Sequence, residues 1–207
     1  MLLLGISGCA GSGKDTVASI LTENYGFRHT AQADPMKLIC RELYGFSNEQ
    51  LWGPSSYRNA PDLRYPREHT MTLDGCMCCG ISYTNRNNVC CYLTPRYALQ
   101  TLGANWGRDC YQDIWINAAI AQAHKLGGRM VITDIRFQNE IDSVSKEGGI
   151  LIRVIRPSAG LHGAPGAHIS ESEMDTIPNT RFDHVIINDG SLDELKRLVD
   201  QMMGILT

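Results

Sequence analysis

The glycine-rich stretch Gly-Cys-Ala-Gly-Ser-Gly-Lys-Asp-Thr at 8–16 is the feature that most limits how this chain can fold. An apolar run at 1–6 precedes it and apolar residues at helical spacing follow it, which predicts a buried strand, a tight turn and a helix. The backbone N–H groups of such a turn can surround an anion, and Lys14 stands where it can reach the outer phosphates of a nucleoside triphosphate. The alternative is a glycine-rich turn with no ligand.

The position after the lysine differs from the usual phosphate-binding loop. Asp15 stands where a serine or threonine hydroxyl commonly meets Mg²⁺, and Thr16 follows it. An aspartate is compatible with a bound triphosphate if it faces the magnesium ion or its waters. The residues predicted to hold the donor phosphates are Gly11, Ser12, Gly13, Lys14, Asp15 and Thr16.

Composition limits the class of protein. A chain of 207 residues that is 43% apolar can form one domain with a real core, and we expect a single domain over 1–207. The net charge of −3 argues against a general nucleic-acid binder. The run at 1–6 is too short to span a membrane and lacks the basic start of a signal peptide. We therefore expect a cytoplasmic protein with no membrane partner, whose eight cysteines are thiols or metal ligands.

Strands and helices alternate along most of the chain, which predicts an α/β fold with a parallel sheet covered on both faces. The predicted strands are 1–6, 27–33, 129–133, 150–155 and 185–187, and the predicted helices are 14–25, 34–44, 94–103, 112–125, 137–146 and one after 191. Prolines and cysteines interrupt the pattern at 46–93, which we interpret as an insertion of short helices and a small hairpin.

Proline and glycine set two of these helix boundaries. Asp34 followed by Pro35 predicts a helix with an aspartate N-cap. Thr94 followed by Pro95 predicts a second such start, and Gly103 is the predicted end of that helix.

Polar residues that follow the strands should meet at one edge, because ligands of parallel sheets bind at the carboxyl ends of the strands. Asp134 ends a buried strand, where an acid commonly meets the magnesium ion of a triphosphate; the alternative is a helix N-cap. Arg136 would lie beside the phosphates, and its alternative is a surface ion pair.

Arginines are numerous near these positions. Transfer of a phosphoryl group between two phosphate-bearing ligands requires cations for both ligands. Any one of them could instead be a solvated side chain; they are Arg58, Arg64, Arg67, Arg96, Arg108, Arg153 and Arg156. The segment at about 156–172, rich in glycine, alanine and proline at 157–166, is predicted to be a lid that excludes water, or else a plain disordered loop.

Five blocks resemble the phage deoxynucleoside monophosphate kinases. They are SGCAGSGKDT, LQTLGANWGRD, VITDIRFQNEID, LIRVIRP and FDHVIINDGSLDEL, which occur in the family's order. SGKD, TDIR and NDGS are also similar to segments of the animal phosphomevalonate kinases. The resemblance implies a P-loop NTPase-type three-layer sandwich with a five-stranded parallel sheet, with ATP as donor and a deoxynucleoside monophosphate as acceptor, in the host cytoplasm if a phage encodes the protein.

The resemblance also implies residue roles. Asn188, Gly190 and Ser191 would lie by the adenine, and Gln100 and Arg108 would face the acceptor. With the residue-based expectations this gives a catalytic set of Lys14, Asp134, Arg136 and Arg156, and an acceptor-binding set of Asp34, Lys37, Arg67, Arg96, Gln100 and Arg108. A homodimer is compatible with the sequence, and a nucleic-acid partner is not expected.

The cysteine cluster in the insertion departs from the family pattern. Cys76 and Cys79 form a Cys-x-x-Cys-Gly turn, and Cys90 and Cys91 follow. These four thiolates predict a structural Zn²⁺ site that pins the hairpin, although Cys78 or His69 could replace one of them. Reduced thiols without a metal are the alternative, and a disulfide is a less favoured third.

The sequence is also compatible with other functions. One is a kinase with another acceptor, either a phosphorylated metabolite or a modified base in DNA. A nucleotide-dependent switch is another, but the chain has no Asn-Lys-x-Asp motif for reading guanine.

Overall fold

The computed structural model describes residues 1–9, 11–67, 71–72, 75–76, 92–157, 174 and 176–206, with the backbone alone at 71–72 and 75–76. The strands are β1 (Leu2–Ser7), β2 (Arg28–Ala31), β3 (Asp62–Pro66), β4 (Met71–Thr72), β5 (Gly75–Cys76), β6 (Tyr92–Leu93), β7 (Arg129–Ile135), β8 (Ile150–Ile155) and β9 (His184–Ile187). The helices are α1 (Lys14–Tyr25), α2 (Ala33–Tyr44), α3 (Asn48–Trp52), α4 (Ser55–Asn59), α5 (Pro95–Gln100), α6 (Arg108–Cys110), α7 (Ile114–Leu126), α8 (Gln138–Lys146) and α9 (Leu192–Leu206).

The chain forms two compact units. The first consists of Met1–Gln32 with Asp113–Thr207, and the second of Ala33–Gln112. The first unit contains the predicted phosphate-binding loop. The predicted single domain over 1–207 with an insertion at 46–93 and a lid at about 156–172 stays a prediction.

The first unit is built on a parallel sheet of five strands in the order β2-β7-β1-β8-β9. The central strand β1 pairs with β7 on one side and with β8 on the other, for example Leu3 with Met130 and Gly5 with Leu151. These strands are nearly continuous apolar runs, as burial on both faces requires. The carboxyl end of β1 therefore has a neighbouring strand end on each side.

Helices cover both faces of this sheet. Val17 of α1 and Val199 of α9 belong to the core on one face, whereas Ile116 of α7 and Ile141 of α8 belong to the core on the other. The predicted α/β fold, with three layers and a five-stranded parallel sheet, is confirmed.

Helix α1 has the predicted bounds, and glycine explains both of its ends. Gly13 precedes it with φ 97°, and Gly26 follows it with φ 67°, a backbone region that residues with a Cβ rarely adopt. The backbone N–H of Gly26 donates to the carbonyl of Leu21, which closes the helix.

Two predicted helix boundaries in the second unit are wrong. Helix α2 begins at Ala33, so Asp34 lies in its first turn and is not its N-cap. Helix α5 does not end near Gly103, because a π-helical segment (Thr101–Gly107) continues it into α6. Gly103 lies inside that segment, and a Cβ there would lie 2.8 Å from the Sδ of Met36.

The second unit has a small core of its own. Phe46, Leu51, Leu93 and Ala98 form it together with Cys40. Burial raises the pKa of the Cys40 thiol to about 11, so this cysteine stays protonated at neutral pH. Strands β4 and β5 form a short antiparallel pair, and the rest of the predicted cysteine-rich hairpin, 77–91, lies outside the described residues.

Among the described helices, none combines the length and apolar character needed to cross a bilayer.

Candidate active site

The loop after β1 has the backbone of an anion-binding turn. Gly11 and Gly13 have φ values of 79° and 97°, and the amide of Ser12 donates to the carbonyl of Cys9 over 3.1 Å. The first N–H groups of α1 have no carbonyl partner within the helix. Consecutive N–H groups in such a turn can together face an anion.

Lys14 is buried at the start of α1, with an exposed fraction of 6%. Its Nζ lies 3.5 Å from Oδ1 of Asp134 and 3.5 Å from Oδ2 of Asp15. A buried ammonium group is costly unless carboxylates or other anions accompany it. The structure therefore brings three of the predicted site residues together: a lysine, the aspartate that follows it and the aspartate of β7.

Asp134 has φ 65°, and it is the sole non-glycine residue of the described chain with a positive φ. The pairing of β1 with β7 shifts register between Gly5 and Ser7, beside this residue. The left-handed conformation costs most residues with a Cβ about 1–2 kcal/mol, and aspartate is among the few that adopt it more readily. Such strain persists where the surroundings enforce it, and it is common at functional sites.

The charges around Asp134 favour its carboxylate form. Burial opposes its ionisation, but Arg136 and Lys14 outweigh that effect and hold the pKa of Asp134 below its ordinary value. The Nη2 of Arg136 lies 3.3 Å from its Oδ1. The side chain is 32% exposed, so an ionised carboxylate between two cations remains accessible.

Glu140 fixes the turn after Asp134. Its carboxylate is buried, and Oε2 accepts the backbone N–H of Arg136 at 2.7 Å and that of Phe137 at 3.1 Å. The Nε2 of Gln32 also donates to the backbone carbonyl of Asp134 at 3.4 Å. Sequence reasoning missed Glu140, because the serine or threonine that usually opens a capping box is replaced by Phe137.

Asn188 contacts the phosphate-binding loop directly. Its side chain is buried, and Nδ2 donates to the carbonyl oxygen of Ser12 over 2.8 Å. Its backbone N–H donates to the carbonyl of Ile155 at 2.7 Å, which anchors it at the end of β8. Gly190 and Ser191 are exposed, and Oγ of Ser191 accepts the N–H of Glu194 at the start of α9.

The two arginines of β8 and its end have different surroundings. Arg153 donates from Nη1 to the carbonyl of Ile177 at 2.5 Å and from Nη2 to that of Met174 at 3.1 Å. These two bonds hold the guanidinium group of Arg153 against backbone carbonyls, and its predicted contact with phosphate stays a prediction. Arg156 is exposed directly after the end of the strand and is the first residue of the predicted lid, of which 158–172 lies outside the described residues.

Two arginines of the second unit are also structural. Arg58 donates to the carbonyls of Leu51 and Gly53, and Arg64 forms a two-pronged ion pair with Asp62, at 2.9 and 2.6 Å. The hydrogen bonds from Arg64 hold the pKa of Asp62 well below its usual range.

Arg67 and Arg96 are held in defined orientations. The guanidinium group of Arg67 lies 3.7 Å from the ring centroid of Tyr97, and the Nε of Arg96 donates to Oδ1 of Asn59. Stacking on a ring holds the guanidinium plane and leaves its edge for hydrogen bonding.

The remaining predicted acceptor residues lie on helical segments of the second unit. Lys37 Nζ lies 3.5 Å from Oδ1 of Asp34, which also accepts a hydrogen bond from Nε1 of Trp52. Gln100 and Arg108 flank the π-helical segment, a type of local structure that is frequent at functional sites.

The predicted metal sites have different outcomes. Carboxylate oxygens are the ligands that Mg²⁺ prefers, so the ionised, partly exposed Asp134 and the exposed Asp15 fit that ion. Within the described ranges, no group of three or more histidine, cysteine or acidic side chains is placed to hold a metal. The predicted zinc ligands Cys79, Cys90 and Cys91 lie outside the described residues, as do Cys78 and His69, and only the backbone of Cys76 is described. The zinc site stays a prediction.

A central strand that enters this glycine-rich loop, which is followed by α1, is the arrangement of a P-loop NTPase-type fold. The whole fold is similar to that of shikimate kinase from Aquifex aeolicus, at 11% identity and a TM-score of 0.51, over 99% of this chain and 98% of that one. Dephospho-CoA kinase from Campylobacter jejuni matches with 12% identity and a TM-score of 0.47, over 99% and 97% of the two chains.

Sequence comparison identifies the family. Residues 78–199 match the profile of deoxynucleotide monophosphate kinase. A protein of Acanthamoeba polyphaga mimivirus, provisionally named a deoxynucleotide monophosphate kinase, is 32% identical over 207 residues, which cover 94% of this chain and 92% of the viral one. The chain belongs to the deoxynucleotide monophosphate kinase family, as its motifs predicted, and it is a phosphotransferase.

Proposed function

We propose that this enzyme transfers the γ-phosphoryl group of ATP to a deoxynucleoside monophosphate, with ADP and the deoxynucleoside diphosphate as products. The observation that carries the proposal is the buried Lys14, ion-paired with Asp134, whose carboxylate also contacts Arg136. A nucleotide kinase needs such a set, because phosphoryl transfer depends on positioning and on neutralising negative charge. Membership of the family supports the acceptor class.

The donor contacts follow from the loop. The backbone at Gly11, Ser12 and Gly13 would surround the β-phosphate, and Lys14 would leave its carboxylate partners to contact the β- and γ-phosphates. Gly190 and Ser191, with Asn188 behind them, would lie beside the adenine.

Asp134, Asp15 and Thr16 are the groups that would hold Mg²⁺ with the donor phosphates. When bound, this ion neutralises charge on the β- and γ-phosphates and orients them. The left-handed backbone of Asp134 fixes the position of the Asp134 carboxylate, and the hydrogen bond from the backbone N–H of Arg136 to Glu140 holds the turn that follows it. No reorganisation of this turn is then needed during the reaction.

The acceptor contacts are assigned to the second unit, on the strength of the resemblance. Arg67, Arg96 and Arg108 would bind the phosphate of the monophosphate, and Gln100, Asp34 and Lys37 would contact its nucleoside. Arg67 is well suited because its stack on Tyr97 keeps the guanidinium plane fixed.

In the transfer step, a phosphate oxygen of the acceptor forms a bond to the γ-phosphorus while the bond from that phosphorus to the β,γ-bridging oxygen breaks. Negative charge spreads over the transferred group and collects on the departing ADP. Arg136 and Arg156 would stabilise the negative charge on the transferred group. Lys14 would stay in contact with that group as it moves. Closure of the predicted lid at about 156–172 would keep water from accepting the phosphoryl group.

An acceptor screen tests the proposal. The protein with ATP and Mg²⁺ is incubated with each deoxynucleoside and ribonucleoside monophosphate, with phosphomevalonate as a phosphorylated metabolite, and with DNA that carries a modified base. Formation of ADP is followed in parallel with the phosphorylated product. We expect product with at least one deoxynucleoside monophosphate, at a kcat/KM above that of every other acceptor. Preferred use of phosphomevalonate or DNA, or ADP formation without an acceptor product, would contradict the proposal.

A further inference from the structure

The side chain of Asn188 contacts the phosphate-binding loop at a backbone carbonyl. Its Nδ2 lies 2.8 Å from the oxygen of Ser12, and both residues are buried, at 5% and 0% exposure. The amide is rigidly placed, because the backbone of Asn188 is itself bonded to Ile155 at the end of β8. A fixed donor therefore holds one peptide group of the loop.

That peptide group joins Ser12 to Gly13, and it is trans. In a trans peptide the C=O and N–H groups point in opposite directions. Because the carbonyl of Ser12 points at Asn188, the N–H of Gly13 points away from Asn188. The hydrogen bond from Asn188 to the carbonyl of Ser12 thus sets the direction of the Gly13 N–H, although Asn188 does not contact that N–H.

Glycine makes this control necessary. Gly13 has φ 97°, and a flip of the preceding peptide plane would change φ to about −80°, which glycine adopts as readily. Sterics alone therefore leave two orientations open, with the N–H of Gly13 on opposite sides of the loop. The loop also needs glycine here for close packing, since a Cβ at Gly13 would lie 2.4 Å from Nδ2 of Asn188.

We propose that Asn188 is a positioning residue that selects the orientation of the Ser12–Gly13 peptide in which the N–H of Gly13 faces the donor phosphates. It acts on phosphate affinity through the loop and does not read the adenine. This inference rests on the proposed function only for the identity of the donor as ATP. It goes beyond that function because it links the segment after β9 to the geometry of the phosphate-binding loop.

Two substitutions test the proposal. Asn188→Ala removes the donor, and Asn188→Asp replaces it with a carboxylate of nearly the same shape that repels the carbonyl of Ser12. Matched controls are Asn179→Ala and Asn179→Asp, which make the same chemical changes at an exposed residue before β9. Thermal unfolding of each variant checks that it is folded at the assay temperature.

Inorganic tripolyphosphate and adenosine are the probes, because they separate the phosphate part of ATP from the base. Their dissociation constants are measured by calorimetry and as inhibition constants against ATP. We expect Asn188→Ala to weaken ATP and tripolyphosphate by the same factor, about tenfold for one hydrogen bond. Asn188→Asp should weaken both further, and adenosine should bind all four variants as it binds the wild type.

Protonation gives a readout that a purely structural role would not produce. As the pH falls, the new carboxyl group of Asn188→Asp becomes a donor again, so its tripolyphosphate affinity relative to the wild type should recover. If Asn188→Ala unfolds below the assay temperature, the nearly isosteric Asn188→Asp carries the test alone.

Several outcomes would overturn the inference. They are a loss of adenosine affinity with unchanged tripolyphosphate affinity, no change in either constant, or a wild type that does not bind tripolyphosphate. A wild type that binds tripolyphosphate but phosphorylates none of the acceptors contradicts the proposed function instead, and the Asn188 comparison can still be made.

Discussion

The Nζ of Lys14 lies 3.5 Å from Oδ1 of Asp134, so an ion pair joins the first helix to the end of the neighbouring strand β7. The pair is possible because β1 and β7 are adjacent and parallel, which brings their carboxyl ends to one edge. The two carboxylates beside Lys14 offset the cost of burying its ammonium group.

Replacement of Lys14 tests this edge as the site of transfer. Lys14→Ala should lower kcat about 100-fold or more, because a preorganised cation that stabilises moving charge is lost. Circular dichroism should show an unchanged fold. Lys125→Ala, at an exposed position in the last turn of α7, is the matched control and should have wild-type turnover. Turnover near the wild-type value in Lys14→Ala would remove the loop from the mechanism.

Arg108 and Arg136 should have separable kinetic effects. Arg108→Ala should raise KM for the monophosphate about tenfold or more and KM for ATP little, because a charge-assisted contact to the acceptor phosphate is lost. Arg136→Ala should mainly lower kcat, because its contact strengthens as the phosphoryl group moves.

The control for both arginines is Arg181→Ala, which breaks a half-exposed ion pair with Asp142 and should leave both kinetic constants unchanged. Small and equal changes in kcat and KM for Arg108→Ala and Arg136→Ala would show that both arginines are solvated side chains with no role in the reaction.

The backbone of Asp134 predicts an unusual order of stability. Because φ is 65°, Asp134→Gly should be more stable than Asp134→Ala by about 1 kcal/mol in urea or thermal unfolding. Both variants should lose turnover, since each lacks the carboxylate. The control pair is Asp142→Gly and Asp142→Ala in α8, where alanine should be the more stable by about 1 kcal/mol. If the alanine variant were the more stable one at position 134 as well, the backbone of Asp134 would not be strained.

Elemental analysis tests the cysteine cluster. If Cys76, Cys79, Cys90 and Cys91 hold zinc, protein purified without chelator should contain about one zinc ion per chain. Chelation should then weaken acceptor binding and leave tripolyphosphate affinity largely unchanged, because all ligands of the site are protein groups of the insertion. A metal-free sample in which these four thiols label rapidly would contradict the zinc hypothesis.

Sequence periodicity and glycine placement predicted the first unit well, because both report local physics. Helix α1 begins after Gly13 and ends before Gly26 as expected, and β8 has the predicted bounds. The same reasoning failed at Gly103, where a glycine that commonly ends a helix instead lies within a continuing helical segment, against Met36 from another helix. Local signals do not contain such contacts.

The candidate site was predictable in its residues but not in its geometry. Lys14 and Asp134 could be predicted as site residues because each comes after an apolar run that is typical of a buried strand. The left-handed backbone of Asp134 depends on a register shift between two strands far apart in the chain, and the bond from Asn188 to Ser12 depends on the order of strands in the sheet. Neither feature can be predicted from the residues that neighbour it in the sequence.

The central position of β1 has a consequence for how the protein is made. Both of its neighbours, β7 and β8, are encoded long after it, with the whole second unit in between. Pairing over such separations is slow, and an apolar strand that waits for its partners is prone to aggregate. During synthesis, the phosphate-binding loop emerges before either flanking strand and acquires both only after β8 has left the ribosome. A ribosome that stalls after the second unit would therefore carry every residue of the loop on a strand that still lacks both of its neighbours.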